Sequence, residues 1–343
     1  MSPLNWGIGH ATRIVPIAHQ LHLQGAAIFI CAHGAALQLL KRECPYAQFV
    51  NDMPFEIIYA KTRTGNIFKL LWQLPVMLLQ VYREHSLVKK IVKQYHITTI
   101  ISDNRYGFYH ATVPSFFITH QLQIQVPFGK ALVNKINQYY IKKFKACWVP
   151  DFEDRSISLA GKLSSNNDIE NIKYIGPLSN AVKAQPLSNS DAPVLYLLSG
   201  VEPQRSILEN LILLSFKQHP HKAILVRGTT LNAINIPSHK LLTVYNFCDS
   251  KQLQQLVSKC KLIIARSGYS TIMDIIKWQK NAVLIPTPGQ FEQEYLAQYL
   301  SQKKWFFAVK QQDFLQFNEE ECKTYTCPQL PIKLCNYDEL LLN

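Results

Sequence analysis

Nowhere in the 343-residue chain is there a stretch of about 18 uncharged apolar residues, which argues against a membrane-spanning helix. The N-terminus also lacks the charged, apolar and small-residue succession of a secretory signal, so a cytoplasmic protein is expected. No low-complexity tract occurs, and a chain that is 48% hydrophobic and 17% charged is globular rather than disordered. Its eight cysteines (31, 44, 147, 248, 260, 322, 327 and 335) form no CxxC pair, which argues against a zinc site or a disulfide framework and predicts reduced, mostly buried thiols. Acidic residues are scarce in the first half: residues 1–150 hold 16 Lys or Arg against 5 Asp or Glu, whereas the remainder holds 20 against 18. Such asymmetry marks a face that meets a polyanion, whether nucleic acid, anionic lipid headgroups or a phosphorylated substrate. No RNA-recognition signature or zinc finger accompanies it, so a nucleic-acid partner is not expected.

What the chain does contain is a long alternation of short β-rich runs with helical patterns. Ala26–Cys31, Phe55–Tyr59, Ile97–Ser102, Ser115–Thr119 and Cys147–Pro150 precede a segment, Leu178–Pro193, rich in Ser, Asn, Ala and Pro that reads as a linker. Val194–Leu198, Ala223–Arg227, Leu241–Phe247, Lys261–Ala265, Ala282–Ile285 and Trp305–Val309 follow it. This predicts an α/β protein of two Rossmann-like, doubly wound parallel-sheet domains facing one cleft, over residues 1–177 and 194–343 with 178–193 between them.

The most informative stretch is Ala265-Arg-Ser-Gly-Tyr-Ser-Thr-Ile-Met-Asp274. An apolar strand runs into Gly268, Ser267, Ser270 and Thr271 offer hydroxyls to cap the next helix, and Asp274 lies one turn further in. Amides at such a helix start favour phosphate oxygens, and a carboxylate one turn on can accept from ribose hydroxyls. The segment also fits an ordinary capped strand-to-helix junction. In the same domain Ser199-Gly-Val-Glu-Pro-Gln-Arg205 places Gly200 in a tight turn, Pro203 at the first helical position and Arg205 where it could reach a diphosphate. Tyr245-Asn-Phe-Cys-Asp249 ends another strand at the same sheet edge.

The first domain opens with Asn5-Trp-Gly-Ile-Gly-His-Ala-Thr-Arg13, where Gly7 and Gly9 let backbone approach a ligand and His10 starts a helix. Just Met1–Leu4 precede this loop, so either translation begins upstream or the first strand, usually central in such a sheet, is shortened. Ser102-Asp-Asn-Arg-Tyr-Gly107 and Thr119-His-Gln121 end two apolar strands, and ligands of open α/β sheets bind outside such strand ends. Asp103 and His120 therefore join His10 as candidate bases, although Asp103-Asn104 equally fits a turn cap. Two basic-aromatic segments stand out. Ile67–Tyr82 is strongly apolar and followed by Arg83, Lys89, Lys90 and Lys93, and Lys130–Lys145 interleaves five lysines with Tyr139, Tyr140 and Phe144. Either suits a membrane interface, and the first fits a core-facing helix equally well.

These motifs resemble the GT-B glycosyltransferases of family 28, the MurG-like UDP-sugar transferases, most strongly over roughly 194–300 and less over 5–150. The resemblance implies that Asp274 holds the donor ribose, that Gln293 and Glu294 meet donor sugar hydroxyls, that backbone at Phe247 and Cys248 reads the base, and that Gly200 and Arg266 belong to the donor loops. Acceptor contacts are expected at Asn5, Gly7, Gly9, Asn104, Arg105 and Gln121, in the first loop and after two strand ends. Glu294 stands where the family has a second glutamine, and Asn5, Trp6 and Ile8 replace its first-loop residues, which marks a distinct branch. The implied reaction is inverting, with His10, Asp103 or His120 as base and with Gly268, Ser267 and Arg205 stabilising the leaving diphosphate without metal or cofactor. Implied partners are a nucleotide-sugar donor, a glycan or lipid-linked acceptor and an anionic membrane surface, which places the protein on the inner face of the membrane. An epimerase, a hydrolase or a silent nucleotide-sugar-binding protein would carry the same donor motif.

Overall fold

The structure is a computed structural model that describes residues 1–5, 8–50, 63–126, 129–165, 168–184, 191–229, 239–332 and 336–342, with the side chains of 63–78, 338 and 342 outside the description. The expected strand Phe55–Tyr59 lies outside the described residues. Two compact units result: Ile67–Ser179 and Ile332–Asn343 join the opening segment Met1–Ile58, and Asn180–Pro331 forms the second.

The first unit runs β1 (Ser2–Pro3), α1 (Ile8–Leu23), β2 (Phe29–Cys31), α2 (Gly34–Glu43), β3 (Gln48–Val50), α3 (Arg63–Tyr95), β4 (Ile100–Asp103), β5 (Ser115–Ile118), α4 (Lys130–Ile141), β6 (Ala146–Val149) and β7 (Ile172–Tyr174). Strands β1, β4, β5, β6 and β7 are parallel neighbours in that order, and β2 pairs with β3. Cys31 N donates to Met1 O at 2.9 Å and Met1 N to Phe29 O at 2.6 Å, so the β2–β3 pair continues the sheet beyond β1. Strand β1, two residues long, thus has a neighbour on each side. Its neighbour β4 is buried along its whole length, as a strand covered by helices on both faces must be.

In the second unit β8 (Val194–Leu197), α5 (Gln204–Gln218), β9 (Ala223–Val226), β10 (Leu242–Tyr245), α6 (Ser250–Lys259), β11 (Leu262–Ala265), α7 (Tyr269–Trp278), β12 (Ala282–Leu284), α8 (Phe291–Gln302) and β13 (Phe307–Ala308) follow one another. All six strands are parallel in the order β10-β9-β8-β11-β12-β13, the doubly wound arrangement. The apolar runs VLYL, AILV and LIIA form its middle, and Tyr196, Leu225 and Ile264 from them pack with Leu208, Ile212 and Phe216 of α5.

Two expectations about chain organisation change. Residues 178–193 do not form a loose linker from their start: Gln254 Nε2 donates to Val182 O at 2.8 Å, Val182 N donates to Gln254 Oε1 at 3.1 Å, and Ala184 N bonds Trp278 O. A paired amide satisfies this backbone more completely than its Ser-Asn-Pro composition suggests. The last helix, α9 (Tyr337–Leu342), belongs to the first unit rather than the second: Tyr337 is buried and its ring lies 6.1 Å from Trp148 of β6.

Candidate active site

His10, Asp103 and His120 meet at the C-terminal edge of the first sheet. Asp103 is the last residue of β4 and pairs with Ile118, the last of β5, so His120 emerges two residues beyond the same edge. His10 is the third residue of α1. Its Nδ1 is 3.2 Å from Asp103 Oδ1. The residue that unites the three is Arg13, one turn further along α1 and buried at 2% exposure. Arg13 Nε donates to Asp103 Oδ2 at 3.1 Å, Nη2 to Oδ1 at 2.5 Å, and Nη1 faces His120 Nδ1 at 3.2 Å. Nη2 also approaches His10 Nδ1 at 2.5 Å.

This geometry sorts the three candidate bases. Burial alone would raise the Asp103 carboxyl, but Arg13 and then His10 outweigh it and hold it below the ordinary carboxylate value. A carboxylate gripped at both oxygens by a guanidinium is a poor proton acceptor. A guanidinium has no acceptor, so the His120 contact is a hydrogen bond in the tautomer whose lone pair is on Nδ1. Both Asp103 oxygens and His120 Nδ1 thus face Arg13. His10 Nδ1 lies 2.5 Å from Arg13 Nη2 and 3.2 Å from Asp103 Oδ1, and its tautomer decides which it serves: its lone pair accepts from Arg13, or Nδ1–H is directed at Asp103 and Nε2 has the lone pair of a base.

Among the expected acceptor contacts, Gly7 lies outside the described residues. Gly9 is in the first turn of α1, where its carbonyl accepts from Thr12 Oγ1 at 2.9 Å. Asn5 lies beside α2: a Cβ on Gly34 would stand 3.5 Å from Asn5 Nδ2. Asn104 takes a left-handed φ of 55°, which asparagine tolerates, as the chain turns out of β4. Gln121 is half-buried and its carbonyl accepts from Asn137 Nδ2 at 2.8 Å. Arg105 requires correction. It is buried, donates from Nε to Glu84 Oε1 at 2.8 Å and from Nη1 to Ser2 Oγ at 2.8 Å, and lies over the Phe108 ring. It therefore ties α3 to β1. Gly107 beside it is obligatory, since a Cβ there would stand 2.3 Å from Val81 O.

In the second unit the β11–α7 junction has the expected form with a different cap. Gly268 itself is the N-cap of α7 and makes no side-chain cap hydrogen bond. Ser267 is buried and donates instead to Gln293 O at 2.8 Å, so the hydroxyl expected at the cap braces α8. Ser270 and Thr271 lie in the first turn of α7. Nothing in the fold itself requires glycine at 268: its φ is −69°, and a Cβ there would meet Thr271 Oγ1 at 3.9 Å, an ordinary contact. The missing side chain leaves space over a helix N-terminus, where the dipole and backbone amides attract anions. Asp274 is half-buried on α7, near enough to Lys277 that its charge opposes the fall that burial imposes on that lysine.

Gln293 Oε1 accepts from Thr287 N at 3.0 Å and Glu294 Oε1 from Gly289 N at 2.9 Å, so both side chains support the loop between β12 and α8. Cys248 follows β10, buried, with its thiol pushed up to about 11 by that burial and then by Asp249, while Phe247 is half-buried. Gly200 turns out of β8 with a φ of 102°, and Pro203 caps α5 rather than opening it.

The arginines differ from expectation. Arg205 is buried: Nε donates to Glu202 Oε1 at 2.6 Å, and Nη1 pairs with Glu209 Oε2. Arg227 Nε reaches the other Glu209 oxygen at 2.6 Å. Arg205 thus has its charge committed within the fold instead of extended towards a diphosphate. Arg266 is also buried, donating to Gln204 O at 2.8 Å, Gln311 Oε1 at 2.6 Å and the carbonyls of Ile285 and Pro286 at 3.3 Å. Burial lowers its value to about 10, so it keeps its charge at neutral pH. These partners are all neutral, and two of them are carbonyls of the segment that follows β12.

Among the described residues no group of three His, Cys, Asp or Glu could hold a metal ion, and no helix is long and apolar enough to cross a membrane. The seven described cysteines are free, and six of them are buried.

Residues 207–320 match the glycosyltransferase family 28 C-terminal domain. A UDP-N-acetylglucosamine--N-acetylmuramyl-(pentapeptide) pyrophosphoryl-undecaprenol N-acetylglucosamine transferase of Sulfurihydrogenibium sp. is 25% identical over 158 residues, 45% of this chain and 42% of that protein. The chain thus spans less than half the length of this curated relative. Among solved structures, the spinosyn rhamnosyltransferase SpnG aligns with a TM-score of 0.65 at 12% identity over 94% of this chain and 90% of that one. Acinetobacter baumannii MurG aligns at 0.52 and 14% identity over 96% and 94%. SnogD from Streptomyces nogalater aligns at 0.60 and 12% identity over 95% and 88%. The fold is that of GT-B glycosyltransferases, and the resemblance to family 28 holds over the second unit.

Proposed function

We propose that the protein is a metal-independent, inverting glycosyltransferase that moves a sugar from a nucleotide diphosphate, UDP in the leading reading, to an acceptor hydroxyl. The observation that carries this is the β11–α7 junction, inside the segment that matches the family 28 domain. There a dispensable side chain is omitted at Gly268 over a helix N-terminus, and Asp274 follows on the same helix. Diphosphate oxygens would meet the first amides of α7, and Asp274 would accept from the ribose hydroxyls. With Oε1 engaged at Thr287, Gln293 offers a sugar just its Nε2 hydrogens, whereas Glu294 offers a carboxylate that accepts from a hydroxyl.

On the first unit, in the tautomer that directs Nδ1–H at Asp103, His10 Nε2 takes the proton of the acceptor hydroxyl. The acceptor oxygen forms its bond to the anomeric carbon as the carbon–oxygen bond to the diphosphate breaks, and the bonding pair leaves with the diphosphate. The α7 N-terminus and the buried charge of Arg266 favour the negative charge that develops on it.

A lipid-linked or membrane-surface acceptor is supported by exposed apolar residues on two helices of the first unit. On α4 the apolar residues Leu132, Ile136 and Tyr139 are exposed among Lys130, Lys135, Lys142 and Lys143, and on α3 Leu79 and Tyr82 are exposed beside Arg83. Apolar side chains edged with cations suit an anionic interface.

The test is calorimetric binding of UDP, GDP, dTDP and their sugars to the wild-type chain and to Asp274→Ala. One nucleotide class bound selectively, and weakened about tenfold to a hundredfold in the variant, is expected from loss of charged hydrogen bonds. Binding of none, or equal binding by both proteins, overturns the donor assignment, and binding with neither transfer nor turnover favours a silent binding protein.

A further inference from the structure

Arg13 is placed unusually for an arginine of an amphipathic helix. Its neighbours Ala11, Ile14, Val15, Ile17 and Ala18 are all buried apolar residues, and Arg13 is buried with them. One side of the guanidinium, Nε and Nη2, grips both Asp103 oxygens, and Nη1 and Nη2 also meet the Nδ1 atoms of His120 and His10. Among the described residues, the charged and titratable groups facing His10 include Arg13 on its own helix, Asp103 at the end of β4 and, across Arg13, His120 after β5.

We propose that Arg13 is the positioning residue of this cluster: by cancelling the buried Asp103 charge it keeps His10 an uncharged imidazole able to accept a proton, and it fixes His120 with its proton on Nε2. The argument is one of charge balance. An imidazole 3.2 Å from a buried, uncompensated carboxylate would be drawn into the imidazolium form, because an opposite charge within about 4–6 Å favours the charged state by about 1–3 units. An imidazolium cannot serve as a base. With the guanidinium fixed against both groups, the carboxylate still orients the ring through Nδ1, while its pull on the ring's charge is offset by a cation at least as close. Asp103 then orients His10 and Arg13 keeps it basic. This assignment deepens the role given to His10 under the proposed function, yet it can be examined without any substrate.

The experiment is a titration of the ring nitrogens of His10 and His120 in the full-length 15N-labelled protein by long-range proton–nitrogen spectra, assigned with His10→Gln and His120→Gln. Arg13→Gln should raise the midpoint of His10 protonation by about one unit or more, a tenfold gain in proton affinity. Asp103→Asn should move it the opposite way, below the wild-type value, because the cation remains and the anion is gone. The double variant should return close to wild type. His120 should show the Nε2–H tautomer in the wild type and lose that strict preference in Arg13→Gln. If Arg13→Gln does not fold, the double variant, which leaves neither charge unpaired, decides: its His10 midpoint should lie above that of Asp103→Asn. A His10 midpoint unchanged in Asp103→Asn, or lowered in a folded Arg13→Gln, overturns the proposal. Once a transferred sugar is known, the acidic limb of kcat/KM should follow the same shifts. Failure to find transfer, with the titration behaving as described, would instead remove the glycosyltransferase reading and leave the role of Arg13 standing.

Discussion

Arg227 donates from Nε to Glu209 Oε1 at 2.6 Å, and both side chains are buried. Arg205 takes the other oxygen of the same carboxylate, so one anion on α5 pairs with two cations, one in the first turn of that helix and one just after β9. Glu209→Ala would leave both guanidiniums buried without it and should destabilise the protein by about 3–5 kcal/mol, measured by urea unfolding of the full chain. An effect below about 1 kcal/mol would mean that the two arginines relax to solvent and that Arg205 can reach a ligand after all.

His10→Ala should lower kcat by a factor of about 10² to 10⁴ and leave donor affinity near wild type, since the imidazole acts on the acceptor. Steady-state kinetics paired with donor calorimetry check this. A variant that loses donor binding in proportion to activity would make His10 a donor contact.

Acid stability should depend on Asp103. Its carboxyl is held below the ordinary value in the folded state, so the unfolded chain binds more protons in that range and stability rises with pH there. The contribution is present above the unfolded value and disappears as pH falls through the folded one. Asp103→Asn should therefore be less stable at neutral pH and show a shallower loss of stability between about pH 5 and 3. Parallel pH profiles for the two proteins would show that the Arg13 pairing contributes nothing to stability.

Gly268→Ala separates fold from ligand. The φ of −69° and the space around a Cβ allow alanine, so the melting temperature should stay within a few degrees, while nucleotide affinity falls about tenfold or more because the methyl group occupies the approach to the α7 amides. Unchanged affinity would move the anion site elsewhere.

The exposed residues of α4 give a fifth prediction. Sedimentation with anionic vesicles at low salt should capture the wild-type chain, and capture should weaken as salt rises towards about 0.3 M. Leu132→Ser, Ile136→Ser and Tyr139→Ser together should reduce it, with no change in melting temperature, because all three side chains are exposed. Equal recovery of wild type and triple variant in the pellet would exclude this face.

Much of this molecule is legible in its sequence. Apolar runs such as LIIA and AILV alternating with helical periodicity report parallel strands buried on both faces, and that signal is local, so both sheets could be anticipated with boundaries shifted by one to three residues. The brief strands Gln48–Val50 and Ile172–Tyr174 carry too little pattern to be read and are fixed by pairing with β2 and β6. Glycine at 268 before a helix start was visible for the same local reason. The i, i+3 spacing of His10 and Arg13 and the i, i+4 spacing of Arg205 and Glu209 were also present as signals, since such residues share a helix face.

Spacing alone does not say which face is buried or what waits there. Asp103 lies 90 residues from Arg13 and His120 lies 107 away, and only the packing of α1 against the ends of β4 and β5 brings them to one guanidinium. Buried charges must find partners wherever the fold supplies them, so the tertiary structure decided that Arg13 joins the cluster, that Arg105 and Arg205 are held in ion pairs, and that Ser267 braces α8. The sequence by itself determined the longer strands, the helices and the order in which they alternate, because those follow from contacts a few residues apart.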